Sequence, residues 1–198
     1  MSDVVETTKD IVNEIPAADE TPNVEEVRTV IKFAKVDENS DAKIPYKKRE
    51  DAGYDVYACF KEDFMKVPAH QTALIPTGIA SALPVNMYFQ IEERGSTGSK
   101  GIKKSAGVID SGFRGEWFVA ITNTNHKDLY IAKKNVIPQL QAAADLLQTE
   151  IIIYPYEKGI AQAVLHEVHD VVTEEMPYEE LSKIKSLRGT SMLGDSGK

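Results

Sequence analysis

From Thr29 onward the apolar residues come in short runs, and glycine, proline or asparagine interrupts most of them. Val30-Ile31-Lys32-Phe33-Ala34-Lys35-Val36 opens the series, Tyr54-Asp55-Val56-Tyr57-Ala58 alternates, and Thr72-Ala73-Leu74-Ile75 stops at Pro76. Further runs lie at 87–91, 117–122, 151–154 and 163–165. Short alternating runs between turn residues predict strands, and many such strands predict an all-β sandwich or barrel. Two stretches depart from this. Leu140, Ala143, Ala144 and Leu147 recur at helical spacing, predicting a short amphipathic helix over 138–148. Pro177 ahead of Tyr178-Glu179-Glu180-Leu181 predicts a second helix over 178–186, after which the chain becomes rich in glycine and serine.

The chain has 198 residues, 42% hydrophobic and 27% charged, enough for one domain with a core. Its net charge of -8 is unevenly spread. Residues 1–28 carry eight acids against Lys9 and Arg28, so they hold most of the excess. An acidic, aromatic-free segment cannot bury enough surface to offset its ordering entropy, and 1–28 reads as a flexible tail. The expected domain then spans 29–187. An acidic chain repels phosphate backbones, which argues against nucleic-acid binding. No apolar run is long enough to cross a bilayer, no signal-peptide layout opens the chain, and Cys59 is the single cysteine. A cytoplasmic, membrane-free setting is expected.

The candidate chemistry begins at Gly107-Val108-Ile109-Asp110-Ser111-Gly112-Phe113-Arg114-Gly115-Glu116-Trp117. Ser111-Gly112 reads as the turn of a hairpin whose returning strand is 117–122, with Asp110 at its base. Such an acid can orient or deprotonate a water, although taken alone the segment reads first as a surface hairpin with a turn-capping Asp. Arg94-Gly95-Ser96-Thr97-Gly98-Ser99 has the composition of a phosphate cradle, and by itself also that of a flexible loop. His166-Glu167-Val168-His169 misses the His-Glu-x-x-His spacing, and on a strand its two histidines face opposite ways, so no metal site is read there.

Asp51-Ala52-Gly53-Tyr54-Asp55-Val56, the Arg94 loop, the Asp110 segment, Lys158-Gly159-Ile160-Ala161-Gln162 and the closing run from Arg188 to Lys198 follow in order. Together, with Pro76-Thr77-Gly78-Ile79 as context, they resemble the five motifs of the trimeric dUTPase family, in a phage- or bacterial-like form. That resemblance implies a jelly-roll-like β-clip fold, a homotrimer with shared active sites, and hydrolysis of dUTP to dUMP and diphosphate with Mg2+. It implies Asp110 as the water-activating acid, with Asp55 bracing the centre or holding the metal through water. Arg94, Gly95, Ser96 and Gln162 become phosphate ligands, joined by Arg188, Gly194 and Ser196 from a C-terminal lid over 188–198. Gly107, Val108 and Ile109 would read uracil through main-chain groups, Phe113 would pack beneath deoxyribose, and Leu193 would cover the base. The chain departs from the family at three positions. Gly95 stands where serine is usual, Phe113 where tyrosine is usual, and Leu193 where many members have phenylalanine.

Residues 133–149 exceed the usual family connection and read as an insertion, available to a protein partner. Gln139 in Pro138-Gln139-Leu140 is a decoy for the fourth motif, because Ile160-Ala161-Gln162 matches the family run and precedes a strand. Two other functions remain to be weighed. A phage regulatory protein would use the same scaffold to bind a repressor. A dCTP deaminase shares the fold but needs a glutamate after the hairpin, where this chain has Ala120.

Overall fold

Strand residues here alternate faces, and that alternation decides what each sheet buries. The computed structural model describes residues 29–187 together with 189 and 190. Twelve strands run in chain order: β1 (Lys32–Lys35), β2 (Gly53–Val56), β3 (Phe64–Val67), β4 (Thr72–Pro76), β5 (Ile79–Ala82), β6 (Met87–Glu92), β7 (Ile102–Lys104), β8 (Val108–Asp110), β9 (Phe118–Asn123), β10 (Asp128–Ala132), β11 (Ile151–Pro155) and β12 (Ala161–Glu167). Three helices interrupt them: α1 (Gly95–Gly98), α2 (Ile137–Leu146) and α3 (Tyr178–Leu181). The all-β expectation holds.

The strands form four small sheets, ordered β1-β5, β11-β10-β3, β2-β12-β6-β8 and β4-β9-β7. Their inner faces meet in one core built on Val56, Val67, Ile75, Ile79, Ile91, Val119, Ile121, Leu129 and Ile131. An aromatic cluster sits at its centre. Phe89 lies 5.2 Å from Trp117, 5.5 Å from Tyr54 and 5.8 Å from Phe33, ring centre to ring centre. Burying rings of this size contributes roughly 1.5–3 kcal/mol each, so this cluster anchors β6 against β1, β2 and the start of β9.

The predicted hairpin is corrected by the sheet order. Ser111 and Gly112 do form the turn, closed by the Phe113 N–H on the Asp110 carbonyl at 3.1 Å. The strands on its two sides do not pair, however. β8 pairs with β6, and β9 pairs with β4 and β7. Residues 111–117 carry the chain from one sheet to another because Ile109 and Val119 each bury into the shared core.

The helix predicted over 138–148 is α2, preceded by a single 3₁₀ turn at Lys134–Val136. Its apolar stripe is only partly used: Ala144 is buried, Leu140 half-buried, and Ala143 and Leu147 exposed. The helix has a topological role. β10 and β11 pair in parallel, and parallel neighbours need a long crossover, so residues 133–150 supply it. The helix predicted over 178–186 shrinks to the single turn of α3. Residues 166–187 are all exposed, so no packing face supports more.

Candidate active site

The sheet β2-β12-β6-β8 gathers most of the predicted site on one face. Registers align Asp55 with Gln162 and Gln162 with Glu92, then Val164 with Gln90 and Gln90 with Val108, then His166 with Tyr88 and Tyr88 with Asp110. Directly opposed residues share a face, so these three rows lie side by side on the surface away from Phe89 and Ile91. The middle row separates two half-sites.

The first half-site centres on Asp55 and Arg94. Arg94 Nε donates to Asp55 Oδ1 at 2.9 Å and Nη2 to Asp55 Oδ2 at 3.2 Å, while Nη1 donates to the Gly159 carbonyl at 3.0 Å. Three of the five guanidinium N–H groups are thereby engaged, and two remain for an anion. The ring of contacts is close because Gly159 has no side chain: a Cβ there would stand 3.2 Å from Arg94 Nη1. Thr97 is buried and holds the loop, its Oγ1 accepting from the Arg94 N–H at 3.1 Å and donating to the Arg94 carbonyl at 2.9 Å.

Gln162 donates through Nε2 to the Glu93 carbonyl at 2.9 Å, which fixes the amide and leaves its second N–H available. Gly53 faces it across the strands, where an added Cβ would meet Gln162 Oε1 at 3.0 Å. Lys48, Asp51, Ala52, Gly53, Asp55, Arg94, Gly95, Ser96 and Gln162 line an open cleft of about 530 Å³. A Cβ on Gly95 would have nothing within 4 Å, so glycine is not a steric requirement there.

The second half-site surrounds Asp110. Its Cα pairs with Tyr88, whose ring stacks on His166 at 5.2 Å. Arg114 Nη1 donates to the carbonyls of Ser111 at 2.5 Å and Phe113 at 3.0 Å, bracing the turn. Phe113 is 43% exposed and leans over Gly115, so it is a surface ring and not part of the core. Gly107 packs tightly, since a Cβ would stand 2.7 Å from the Ile91 carbonyl, and Val108 is exposed beside it. Ile109 points into the core, so only its main chain can reach a ligand.

The structure therefore brings Asp55, Arg94, Gly95, Ser96 and Gln162 together and keeps Asp110 and Phe113 apart from them. Between the Glu92 and Tyr88 rows lie about 13 Å along the strands, and β12 and β8 stand about 10 Å apart across β6. Arg188, Leu193, Gly194 and Ser196 lie outside the described residues, as do residues 1–28. Three neighbours of the candidate residues lie outside any motif: Tyr88 and Gln90 on the same face of the sheet and Arg114 at the turn. The alternation Tyr88-Gln90-Glu92 within an otherwise apolar strand was the available signal for the first two. Ala120, where a deaminase would need an acid, is buried in β9 opposite Leu74.

Among the described residues no helix is long and apolar enough to cross a membrane, and no group of three or more His, Cys, Asp or Glu is placed to hold a metal. Comparison with known proteins gives a consistent result. The family model described as dUTPase matches residues 40–146. The chain is 30% identical over 148 residues to the deoxyuridine 5'-triphosphate nucleotidohydrolase of Candida albicans, covering 74% of this chain and 76% of that one. It is 32% identical over 151 residues to the enzyme of that name from Rickettsia akari, covering 75% and 90%. Among solved structures, the Staphylococcus bacteriophage 80alpha dUTPase with dUPNHPP superposes with a TM-score of 0.62 at 21% identity, covering 85% of this chain and 99% of that one.

Proposed function

The chain belongs to the dUTPase family, and from that premise we propose that it hydrolyses dUTP to dUMP and diphosphate. The observation that carries the reading is the cleft holding Arg94, Ser96 and Gln162 around the Asp55 ion pair. Its remaining donors are those of a polyphosphate site: two guanidinium N–H groups, the Gln162 amide, the Ser96 hydroxyl and the Gly95 main chain.

Asp110 takes a proton from water as the water oxygen bonds to the α-phosphorus. The bond from that phosphorus to the α–β bridging oxygen breaks, and diphosphate leaves with the electron pair. Arg94 and Gln162 absorb charge on the phosphate oxygens. Gly107, Val108 and Ile109 offer main-chain groups to uracil, and Phe113 offers a ring face to deoxyribose. Arg188, Gly194 and Ser196, with Leu193, serve as γ-phosphate partners and lid by resemblance. Magnesium on the triphosphate would neutralise charge and fix its shape. The donor set suits it through water: both Asp55 oxygens already accept from Arg94, and Mg2+ commonly keeps several of its waters.

The wide separation of the two half-sites supports composite sites. An attacking water and the donors on its target phosphate must meet within a few ångströms, so Asp110 of one copy serves the cleft of another. Two surfaces support a homotrimer. Leu74 (61% exposed) and Phe118 lie in neighbouring rows on the outer face of β4 and β9, and residues 166–187 carry exposed Val171, Val172, Leu181 and Ile184.

The test is diphosphate release from a panel of dUTP, dTTP, dCTP and UTP, expected to be selective for dUTP. Mixing inactive Asp110→Asn and inactive Arg94→Ala chains should restore part of the activity, because some mixed sites then contain both intact halves. Absence of dUTP turnover by the parent defeats the activity. Absence of rescue after demonstrated subunit exchange defeats the composite site.

A second reading, a protein partner at 133–149, is favoured by one observation: Leu146 and Leu147 at the end of α2 are 84% and 70% exposed. The phage 80alpha dUTPase has been described as controlling transfer of virulence genes, a regulatory precedent on this scaffold. Retained effector action by an Asp110→Asn chain, lost on Leu146→Ser/Leu147→Ser, would establish that role beside hydrolysis.

A further inference from the structure

Two of the four histidines in the chain meet on turns that the nucleotide chemistry does not use. His70 lies between β3 and β4, and His126 between β9 and β10. Their rings approach with His70 Nε2 and His126 Nδ1 3.0 Å apart and their planes 75° to one another. Both side chains are exposed, so solvent and solutes reach them.

The backbone holds this pair in place. Residues 68–71 form a four-residue turn, with the Gln71 N–H on the Pro68 carbonyl at 3.1 Å. His70 occupies its third position at φ +57°, where glycine is favoured because a side chain strains the backbone. Buried Asn123 ties the two turns together. Its Nδ2 donates to the Val67 carbonyl at 3.1 Å and the Lys127 carbonyl at 2.8 Å, while its N–H donates to the Gln71 carbonyl at 2.9 Å. The Ala69 N–H donates to Asp128 Oδ1 at 2.9 Å, adding a second strut.

We propose that His70 and His126 together form a binding site for a divalent transition-metal ion of the zinc class. Imidazole nitrogens about 2.0–2.1 Å from one metal stand roughly 2.9–3.4 Å apart for angles between square and tetrahedral, a range that includes the observed separation. The ring nitrogens favour Zn2+, Ni2+ or Cu2+ over Mg2+, which prefers oxygen. No third His, Cys, Asp or Glu completes a cluster among the described residues, so water fills the remaining positions. Without metal, one ring donates its N–H to the other. On binding, that proton moves through solvent to the same ring's other nitrogen, and the exposed rings pivot so that both lone pairs converge on an ion beside the line between the two nitrogens.

Lys66 and Lys127, beside the two turns, are both paired with acids, Lys66 with Asp128 at 2.6 Å and Lys127 with Glu150 at 2.8 Å. The site is independent of the dUTP reading, since it shares no residue with either half-site.

The experiment is a calorimetric titration of the full chain with Zn2+ in excess Mg2+, repeated for His70→Gly, His126→Ala and the double variant His166→Ala/His169→Ala. One Zn2+ per chain is expected, weakened by about tenfold or more in the first two variants and unchanged in the third. His70→Gly places glycine where the turn favours it, so its thermal transition should be no lower than the parent's, assigning lost binding to the lost ligand. Cu2+ bound to the parent should show coupling to two ring nitrogens by electron paramagnetic resonance, and to one in His126→Ala. The proposal is overturned if the parent binds no Zn2+, if both His70→Gly and His126→Ala bind it as the parent does, or if binding disappears with His166 and His169.

Discussion

Arg94 and Asp55 meet at two points, Nε on Oδ1 at 2.9 Å and Nη2 on Oδ2 at 3.2 Å, and strand register sets Gln162 directly beside Asp55. The carboxylate and the Gly159 carbonyl fix the plane of the guanidinium and leave two of its N–H groups unengaged, the geometry on which the proposed phosphate role rests.

Arg94→Lys keeps the charge but loses the fork, and it should lower kcat/KM for dUTP about 100-fold or more. Each side chain of the pair is about one-third exposed, so its contribution to folding is screened and amounts to less than about 1 kcal/mol. Steady-state kinetics with thermal melts on the same sample check this. A large fall in melting temperature with unchanged kinetics would make the pair structural.

Asp110→Asn preserves shape and removes the proton acceptor. Turnover should fall about 10²–10⁴-fold while affinity for a non-hydrolysable dUTP analogue stays within a few fold. Asp110 is exposed at the end of an edge strand, so the fold should not change. Near-normal turnover would remove it from the mechanism.

Much of this was legible in the sequence because the chemistry sits in short contiguous runs. Gly53-Tyr54-Asp55, Arg94-Gly95-Ser96 and Ala161-Gln162 are each weak alone, but as an ordered set they declare the candidate cleft. The partners of β8 and β9 did not, because pairing between strands is chosen by the shared core and not by the turn. β3 and β10 carry no strong local signal for a similar reason: Phe64-Met65-Lys66-Val67 and Asp128-Leu129-Tyr130-Ile131-Ala132 gain their strand character from one another. The separation of Asp110 from Arg94 could be read only once register was known. A motif order along the chain carries no distance across a sheet.

Gly95→Ser should be tolerated and should tighten phosphate binding. A Cβ at Gly95 meets nothing within 4 Å, and the position opens the single turn of α1 at the rim of the cleft. One added hydroxyl bonded to a charged phosphate is worth about 1.5–3 kcal/mol, less the cost of ordering it, so about tenfold tighter binding of a dUTP analogue is expected. Unchanged affinity would mean that the Ser96 hydroxyl or the main chain already fills that role.

Phe113→Ala should relax discrimination against UTP without altering rejection of dTTP. Phe113 is exposed at the turn after Asp110, well placed to limit the sugar, whereas the thymine methyl would meet the main chain of Gly107 and Val108. The ratio of kcat/KM for dUTP to that for UTP is the measurement. A variant that still excludes UTP as strongly as the parent shows that another residue reads the sugar.

Stability at high pH should depend on Tyr156. Its hydroxyl donates to Asp41, 2.9 Å from each carboxylate oxygen, and its ring packs edge-on against Phe60 at 4.8 Å. Burial first, and then the Asp41 carboxylate, pushes its pKa well above the ordinary 10.0. Because the folded value is raised, the associated stability is fully present below pH 10 and falls above it, where the unfolded chain ionises and the folded chain does not. Tyr156→Phe should cost about 1 kcal/mol near neutrality through the lost hydrogen bond, and should flatten the decline above pH 10. Part of the decline should remain, because burial also raises Tyr57 and Cys59. Denaturant unfolding of parent and variant between pH 8 and about 11 separates the two effects. A constant difference across that range would mean that Tyr156 ionises equally in both states, contrary to its burial against Asp41.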